Sequence, residues 1–175
     1  MKVRDLCTRS VRTCGPDTSL SEAGWAMWEG DCGILPIVDG ENTALGAITD
    51  RDICMAVVTR DRSAARIAAR EVSGGRLVTC RLEDDVRRAL EIMRNEGVRR
   101  LLVVDSEGKL MGIISLNDLT LAARRGEPSR TNVVTHDELV PTLQAICRHR
   151  GSEAKAEKAA PTAPVRIQAT VVATK

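Results

Sequence analysis

Two short stretches share one pattern: Gly46-Ala47-Ile48-Thr49-Asp50-Arg51-Asp52 and Gly112-Ile113-Ile114-Ser115-Leu116-Asn117-Asp118. Each reads as glycine, two apolar residues, a hydroxyl residue, two variable residues and aspartate. The copies start at positions 46 and 112, an offset of 66, and the match continues without a gap on both sides. Ile37-Val38-Asp39, for example, falls on Val103-Val104-Asp105. Two copies of this length indicate two similar half-domains that pack together, not a repeat array.

Composition limits the classes of function. The 175 residues include two tryptophans, no Phe and no Tyr, so the core must be aliphatic and stacking of bases is confined to Trp25 and Trp28. The net charge of +2, with both signs mixed along the chain, argues against nucleic acid as a partner.

The predicted compartment is the cytoplasm. Residues 1–12 carry charges without an apolar stretch, so they do not read as a signal peptide, and no apolar run reaches the ~18 residues that span a membrane. The six cysteines form no C-x-x-C pair, which favours reduced and mostly buried thiols. His136 and His149 lack zinc-ligand spacing, and no nucleophile–base set stands out. The sequence therefore predicts no metal, no required cofactor and no catalytic residues.

Hydrophobic spacing predicts a β-α-β-β-α order in each half, and hence an α+β fold. Helices are expected after Ser19, with Glu22 as capping-box partner, over Asp84–Glu96, and from Thr49 and Ser115 onward. The strands expected to begin the two halves are Val11–Cys14 and Leu77–Cys80. The predicted boundaries are repeat 1 over 1–60, a linker over 61–68, repeat 2 over 69–126, a C-terminal helical extension over 127–150 and a disordered tail over 151–175.

The duplicated unit resembles the CBS domain, and its tandem arrangement resembles the CBS pair, or Bateman module. The phrase Thr49-Asp50-Arg51-Asp52 is similar to the first repeat of small stand-alone bacterial CBS-pair proteins. The resemblance implies a pseudo-two-fold pair with two clefts between the halves. Such clefts commonly hold adenosyl ligands (AMP, ADP, ATP, NAD or S-adenosylmethionine), and such pairs often dimerise into a flat disk. A homodimer is therefore expected.

The hydroxyl–acid pairs Thr49/Asp52 and Ser115/Asp118 allow two interpretations. Each is close to a capping box, which satisfies the free N–H groups of a helix start. The same turn also presents a helix N-terminus to a phosphate, and its aspartate can accept hydrogen bonds from both ribose hydroxyls. The two roles are compatible, and the resemblance favours ligand binding at one pair or both.

Arg99 and Arg100 precede a strand of the second half, where they are either solvated or a phosphate clamp. The first half has Gly33-Ile34 at the equivalent positions, and it has Arg51 where the second half has Asn117. The two clefts are therefore predicted to differ. We expect Arg99 and Arg100 to share a cleft with Ser115 and Asp118 and to make it the better anion site, while the sequence does not assign Arg51 to either cleft.

Trp25 and Trp28 match charged residues, Glu91 and Arg94, of the other half, which predicts that both indoles face outward. An exposed apolar patch of this kind marks an oligomer contact or, alternatively, a surface covered by the C-terminal helix.

The function predicted is that of a non-enzymatic regulatory module that senses an adenine nucleotide or related adenosyl ligand. The alternative is a ligand-free scaffold that acts through dimerisation and an unidentified protein partner.

Overall fold

The computed structural model describes residues 1–73, 77–125 and 134–148. Both halves contain a helix, two strands and a second helix in this order, and the second half has an additional strand before its first helix. The first half contains α1 (Leu20–Glu29), β1 (Ile34–Val38), β2 (Ala44–Thr49) and α2 (Asp50–Arg60), and the short α3 (Ala69–Val72) follows. The second half contains β3 (Thr79–Cys80), α4 (Val86–Glu96), β4 (Arg100–Val104), β5 (Leu110–Ser115) and α5 (Leu116–Ala122), and α6 spans His136–Cys147. The predicted fold class is thus confirmed, while His149 and the predicted tail over 151–175 lie outside the described residues.

The two sheets repeat the same register. β1 pairs with β2 antiparallel, with Ile34 opposite Thr49, and β4 pairs with β5 with Arg100 opposite Ser115. β3 adds a parallel strand beside β4. The matching strand predicted over Val11–Cys14 is wrong in extent, because only Cys14 makes a bridge, to Ile37. The chain turns away directly afterwards at Gly15-Pro16, and proline has no N–H to continue a ladder.

Helix starts follow the predicted capping chemistry. The Ser19 backbone N–H donates to Glu22 Oε2 at 2.9 Å, and the Glu22 N–H donates to Ser19 Oγ at 3.2 Å. The apolar spacing then places one face of each long helix in the core: Leu20, Ala23 and Met27 in α1, and Val86, Ala89, Leu90 and Met93 in α4.

The core of each half includes a residue from a segment outside the helices and strands of that half. Val3 is fully buried in the core of the second half, and its N–H donates to the Asp84 carbonyl at 2.9 Å. In return, Ile67 is fully buried in the core of the first half and its carbonyl accepts from the Leu20 N–H at 2.9 Å. This exchange ties the two halves together and fixes the geometry of the space between them.

The C-terminal helix α6 packs on the second half. Leu139 is buried among the core residues of that half, and the Thr142 hydroxyl donates to the Leu90 carbonyl at 3.4 Å. Arg87 Nε lies 2.6 Å from Glu138 Oε1. Partial burial opposes ionisation of the Glu138 carboxyl, but hydrogen bonds from Arg87 and Thr135 outweigh it and lower the pKa. In the described part of the chain no helix combines the length and apolar composition that crossing a membrane requires.

Candidate functional site

Two cavities lie where the halves meet. The first has a volume of about 360 Å³ and is lined by the start of α2, by β2 and by the segments that lead into β3 and β4. The second has a volume of about 540 Å³ and is lined by the chain before α1, by the loop after it and by the start of α5. Both volumes fall in the range of small-molecule sites.

The first cavity gathers three arginines, Arg51, Arg99 and Arg100. No ion pair involves any of them among the residues that the structure describes, whereas Arg12, Arg60 and Arg87 each pair with a glutamate. The cavity's one acid, Asp50, accepts the Arg51 backbone N–H at Oδ1 at 2.7 Å. Three guanidinium groups beside one carboxylate make this cavity electropositive and able to bind an anion.

The remaining wall of the first cavity is mostly aliphatic, and it draws on both halves. Its apolar members are Ile34, Leu45, Ala47, Leu77, Val78, Val98 and Leu102. Because these side chains offer surface without competing polar groups, the wall suits a flat, weakly polar ring while the arginines hold a charged group.

The second cavity balances its charges. It contains Ser115 and Asp118 together with Arg12, Arg100 and Asp31. Arg12 is already engaged, because its Nη1 lies 3.1 Å from Glu29 Oε2. Two arginines, one of them paired, and two acids leave this cavity with much less positive charge than the first.

The structure separates residues that were predicted to lie together. Arg99 lines the first cavity with Thr49 and Arg51, and only Arg100 also reaches the cavity of Ser115 and Asp118. The predicted grouping is therefore wrong for Arg99. Both arginines line the first cavity, and Arg100 lies at the start of β4 where it also lines the second.

The capping interpretation of both hydroxyl–acid pairs is confirmed. Thr49 Oγ1 donates to Asp52 Oδ2 at 2.7 Å and accepts the Asp52 N–H at 3.2 Å. Ser115 Oγ does the same with Asp118, at 2.7 and 3.3 Å. These bonds use one oxygen of each carboxylate. They also occupy N–H groups at the helix starts, so an anion in the first cavity would depend on the arginine side chains.

Gly46 and Gly112, which begin the two repeated stretches, have different surroundings. A Cβ at Gly112 would lie 2.5 Å from the Thr8 carbonyl oxygen, so this glycine admits a close approach of the N-terminal segment and not of a ligand. Gly46 does line the first cavity, where a Cβ would meet Ser73 at an ordinary distance of 3.5 Å.

The cysteines are all free, but fewer are buried than predicted. Only Cys14 and Cys80 are buried, while Cys54 and Cys147 are exposed. Burial raises the pKa of the Cys14 thiol, and burial together with the nearby Asp84 charge raises the pKa of Cys80 to about 12. These two thiols therefore stay protonated. The described residues contain no cluster of three or more potential metal ligands.

Trp25 and Trp28 are 62% and 81% exposed, as predicted. The alternative in which the C-terminal helix covers them is wrong, because α6 packs against α4 and α5.

Arg12 and Asp31 of the second cavity were not predicted from the sequence. Arg12 could have been found from the repeat, because it stands 66 positions before Val78, which lines the first cavity.

Comparisons with known proteins agree on one family. The family model of the CBS domain matches residues 3–59 and 69–125. An uncharacterized 17.7 kDa protein of Acidianus ambivalens is 38% identical over 124 residues, which cover 69% of this chain and 72% of that protein. An uncharacterized protein of Methanopyrus kandleri is 30% identical over 119 residues, and the match spans 68% of this chain but only 61% of that protein.

Two solved structures share the fold. A CBS domain protein of Pyrobaculum aerophilum, complexed with AMP, has a TM-score of 0.61 and 22% identity, with 68% of this chain and 90% of that chain covered. A CBS domain pair in complex with 5′-methylthioadenosine and S-adenosyl-L-methionine has a TM-score of 0.62 and 22% identity, with 69% and 94% covered.

Proposed function

The chain belongs to the CBS domain family, and we propose that it is a non-enzymatic regulatory protein that binds an adenine nucleotide between its two repeats. The observation that carries this proposal is the convergence of Arg51, Arg99 and Arg100, without ion pairs in the described chain, on a cavity with an aliphatic wall. The two solved structures with the same fold contain AMP, or 5′-methylthioadenosine and S-adenosyl-L-methionine, which supports a ligand of this class.

In the proposed complex the arginines bind the phosphates and the aliphatic wall receives the base. Arg99 and Arg100 then act as the phosphate clamp, with Arg51 facing them from α2. Thr49 lines the cavity as well. Asp52 and Asp118 each have one carboxylate oxygen, Oδ1, with no hydrogen bond among the described residues. Asp118 lines the second cavity, where this oxygen can accept a ribose hydroxyl, whereas Asp52 lines neither cavity. Ser115 and Asp118 are proposed as the ligand-binding residues of the second cavity.

The charges of the two cavities suggest different ligands. The first cavity would prefer a nucleotide with a di- or triphosphate, because three guanidinium groups can each donate to phosphate oxygens. The charge-balanced second cavity would prefer an adenosyl compound of low net charge, such as S-adenosylmethionine. NAD remains a candidate that carries two phosphates.

A ligand in the first cavity would contact both halves at once. Arg51 belongs to α2 of the first half, whereas Arg99 and Arg100 lead into β4 of the second. Binding would therefore favour one relative placement of the halves, provided that the ligand has a higher affinity for that placement. We propose that this change is what a partner or the dimer interface detects.

Thermal melts of the pure chain with AMP, ADP, ATP, NAD and S-adenosylmethionine test the proposal. A ligand at 100 times its Kd adds about 2.7 kcal/mol to the free energy of unfolding and raises Tm by several degrees. We expect ATP or ADP to give the largest shift, and Arg51→Ala with Arg99→Ala to remove it. Arg94→Ala, an exposed arginine outside both cavities, is the control and should leave the shift intact.

The absence of any shift would favour the second candidate function, a scaffold that acts through protein contacts. The exposure of Trp25 and Trp28 is the observation that supports it.

We also propose that the protein is a cytoplasmic homodimer. The six free cysteines fit a reducing compartment, and the exposed indoles fit a contact between copies.

A further inference from the structure

One pair of equivalent residues lies between the two cavities. Among the described residues, only Ile34 and Arg100 line both of them. The two stand 66 positions apart and so correspond in the repeat, and they begin β1 and β4 respectively. Their strand partners, Thr49 and Ser115, correspond as well. The first half therefore places an aliphatic side chain at this central position, where the second half places a guanidinium group.

The side chain of Arg100 is not held by a partner. It is half-buried, and within the described ranges its guanidinium group makes no ion pair and no hydrogen bond. The other arginine of the second cavity, Arg12, differs, because its Nη1 lies 3.1 Å from Glu29 Oε2. Arg100 can therefore turn toward either cavity, but its rigid fork of donors cannot serve a ligand in both cavities at once.

The charge of the second cavity depends on which way Arg100 turns. The other charged side chains that line this cavity are Arg12, Asp31 and Asp118. Glu29 already neutralises Arg12. With Arg100 turned inward, one free guanidinium group faces two carboxylates. With Arg100 turned away, no described lining residue offsets those carboxylates, so the cavity becomes acidic and favours a positively charged ligand.

We propose that Arg100 couples the two cavities, so that a polyphosphate bound in the first cavity raises the affinity of the second for a cationic ligand. This coupling rests on the proposed function and adds a regulation of the same sites. A triphosphate beside Arg51 and Arg99 offers further charged oxygens, and these draw Arg100 into the first cavity. Asp31 and Asp118 are then left to bind a positive group, such as the sulfonium or the amine of an adenosyl compound.

The sign of the coupling depends on the charge of the second ligand. A cationic ligand gains affinity when Arg100 leaves the second cavity, whereas an anionic ligand there competes for Arg100 and loses affinity. Linkage makes the effect reciprocal, so the cationic ligand must tighten polyphosphate binding by the same factor. The two halves need not move for this coupling, because the element with two arrangements is a single side chain.

Calorimetric titration of S-adenosylmethionine into the full chain, with and without saturating ATP, tests the coupling. We expect ATP to tighten S-adenosylmethionine binding at least about 5-fold, at the lower end of typical coupling between sites. S-adenosylhomocysteine lacks the methyl group and therefore the positive charge on sulfur, so ATP should not tighten its binding. This comparison uses only the unaltered chain and does not depend on the fold of any variant.

Two variants place the coupling on Arg100. Arg100→Ile gives the second half the residue found at the equivalent position, Ile34. This variant should bind S-adenosylmethionine without ATP as tightly as the unaltered chain does with ATP, and ATP should have no further effect. Arg99→Gly is the matched control, because it also adopts the residue of its counterpart, Gly33, but lines only the first cavity. It should weaken ATP binding and keep the coupling once ATP is saturating.

The coupling is refuted if ATP leaves S-adenosylmethionine binding unchanged or weakens it, or if ATP tightens S-adenosylhomocysteine binding equally. It is also refuted if it survives Arg100→Ile or is lost in Arg99→Gly at saturating ATP. Titration of ATP alone tests the proposed function, so independent binding of ATP and S-adenosylmethionine would refute only the coupling. A chain that does not bind ATP would refute both proposals, and one that binds ATP but not S-adenosylmethionine would refute the coupling.

Discussion

The two halves of this chain have one backbone plan but opposite surfaces. The first half has two exposed tryptophans on α1 and a cleft wall with Gly33 and Ile34, whereas the second has helices on which α6 packs and a cleft wall with Arg99 and Arg100. Duplication therefore conserved what folding requires: the buried helix positions, both capping boxes and the strand register. The exposed positions and the cavity positions diverged, and these are where the proposed ligands and partners would bind.

The two cavities show the same divergence in their charges. Position 99 is arginine, and its counterpart 33 is glycine; position 51 is arginine, and its counterpart 117 is asparagine. Arg12 of the second cavity stands where the first has Val78, but it pairs with Glu29. A few substitutions at equivalent places are thus enough to make one cavity electropositive and leave the other balanced.

The largest effect expected on stability concerns α6. If α6 belongs to the core of the second half, Leu139→Ala should lower the free energy of unfolding by about 3 kcal/mol, because it removes a buried leucine and leaves a cavity. Leu143→Ala, at a partly exposed position of the same helix, should cost well under 1 kcal/mol. Chemical denaturation measures both. Equal effects at the two positions would show that α6 is not anchored in this core.

The two capping boxes should contribute equally to the free energy of unfolding but unequally to ATP binding. Thr49→Ala and Ser115→Ala each remove one cap of the same geometry, so each should cost about 1 kcal/mol of unfolding free energy. Only Thr49→Ala should also weaken ATP binding, because Thr49 lines the electropositive cavity. The pair is measured by denaturation and by ligand titration. A loss of ATP affinity confined to Ser115→Ala would reverse the assignment of the two cavities.

The smallest effect concerns the ion pair that holds α6 to α4. The pKa of Glu138 is lowered in the folded chain, so its contribution is present above the unfolded value near 4.5 and is lost as pH falls through the folded value. Glu138→Gln keeps a side chain that can cap and should cost about 1 kcal/mol at pH 7 and less at pH 3, where more of the carboxyl is protonated. Unfolding curves at both pH values check this, with Glu83→Gln, in an exposed pair, as the control. A difference that does not depend on pH would contradict it.

The sequence predicted those parts of the molecule that follow from local periodicity and from the repeat. Helices α1 and α4, both capping boxes and the exposure of Trp25 and Trp28 were predicted correctly. The strand at Val11–Cys14 was not, because pairing of an edge segment depends on how the following Gly15-Pro16 directs the chain. The exchange of Val3 and Ile67 between the halves was also missed, since both residues read locally as ordinary apolar lead-in positions.

Most of the residues predicted for the site line one of the two cavities, but their predicted grouping was wrong, and their role in ligand binding stays a prediction. The repeat identified Thr49 and Asp52 as equivalent to Ser115 and Asp118; Thr49 lines the first cavity, and Ser115 and Asp118 line the second, whereas Asp52 lines neither. Arg99 was assigned to the wrong cavity because the sequence alone does not show which of the two clefts the residues before β4 face. Arg51 could be assigned only when the relative placement of the halves was known.

The electropositive first cavity should recognise phosphate, and calorimetric titration of ATP and adenosine tests this proposal without an intermediate step. We predict that the unaltered chain binds ATP at least about 100-fold more tightly than adenosine, a difference of about 2.7 kcal/mol. Arg51→Asn with Arg99→Gly, which gives the first cavity the residues found at the equivalent positions of the other half, should remove most of this preference and leave adenosine binding unchanged. Equal affinity for ATP and adenosine in the unaltered chain, or an ATP preference that survives the double substitution, would contradict the proposal.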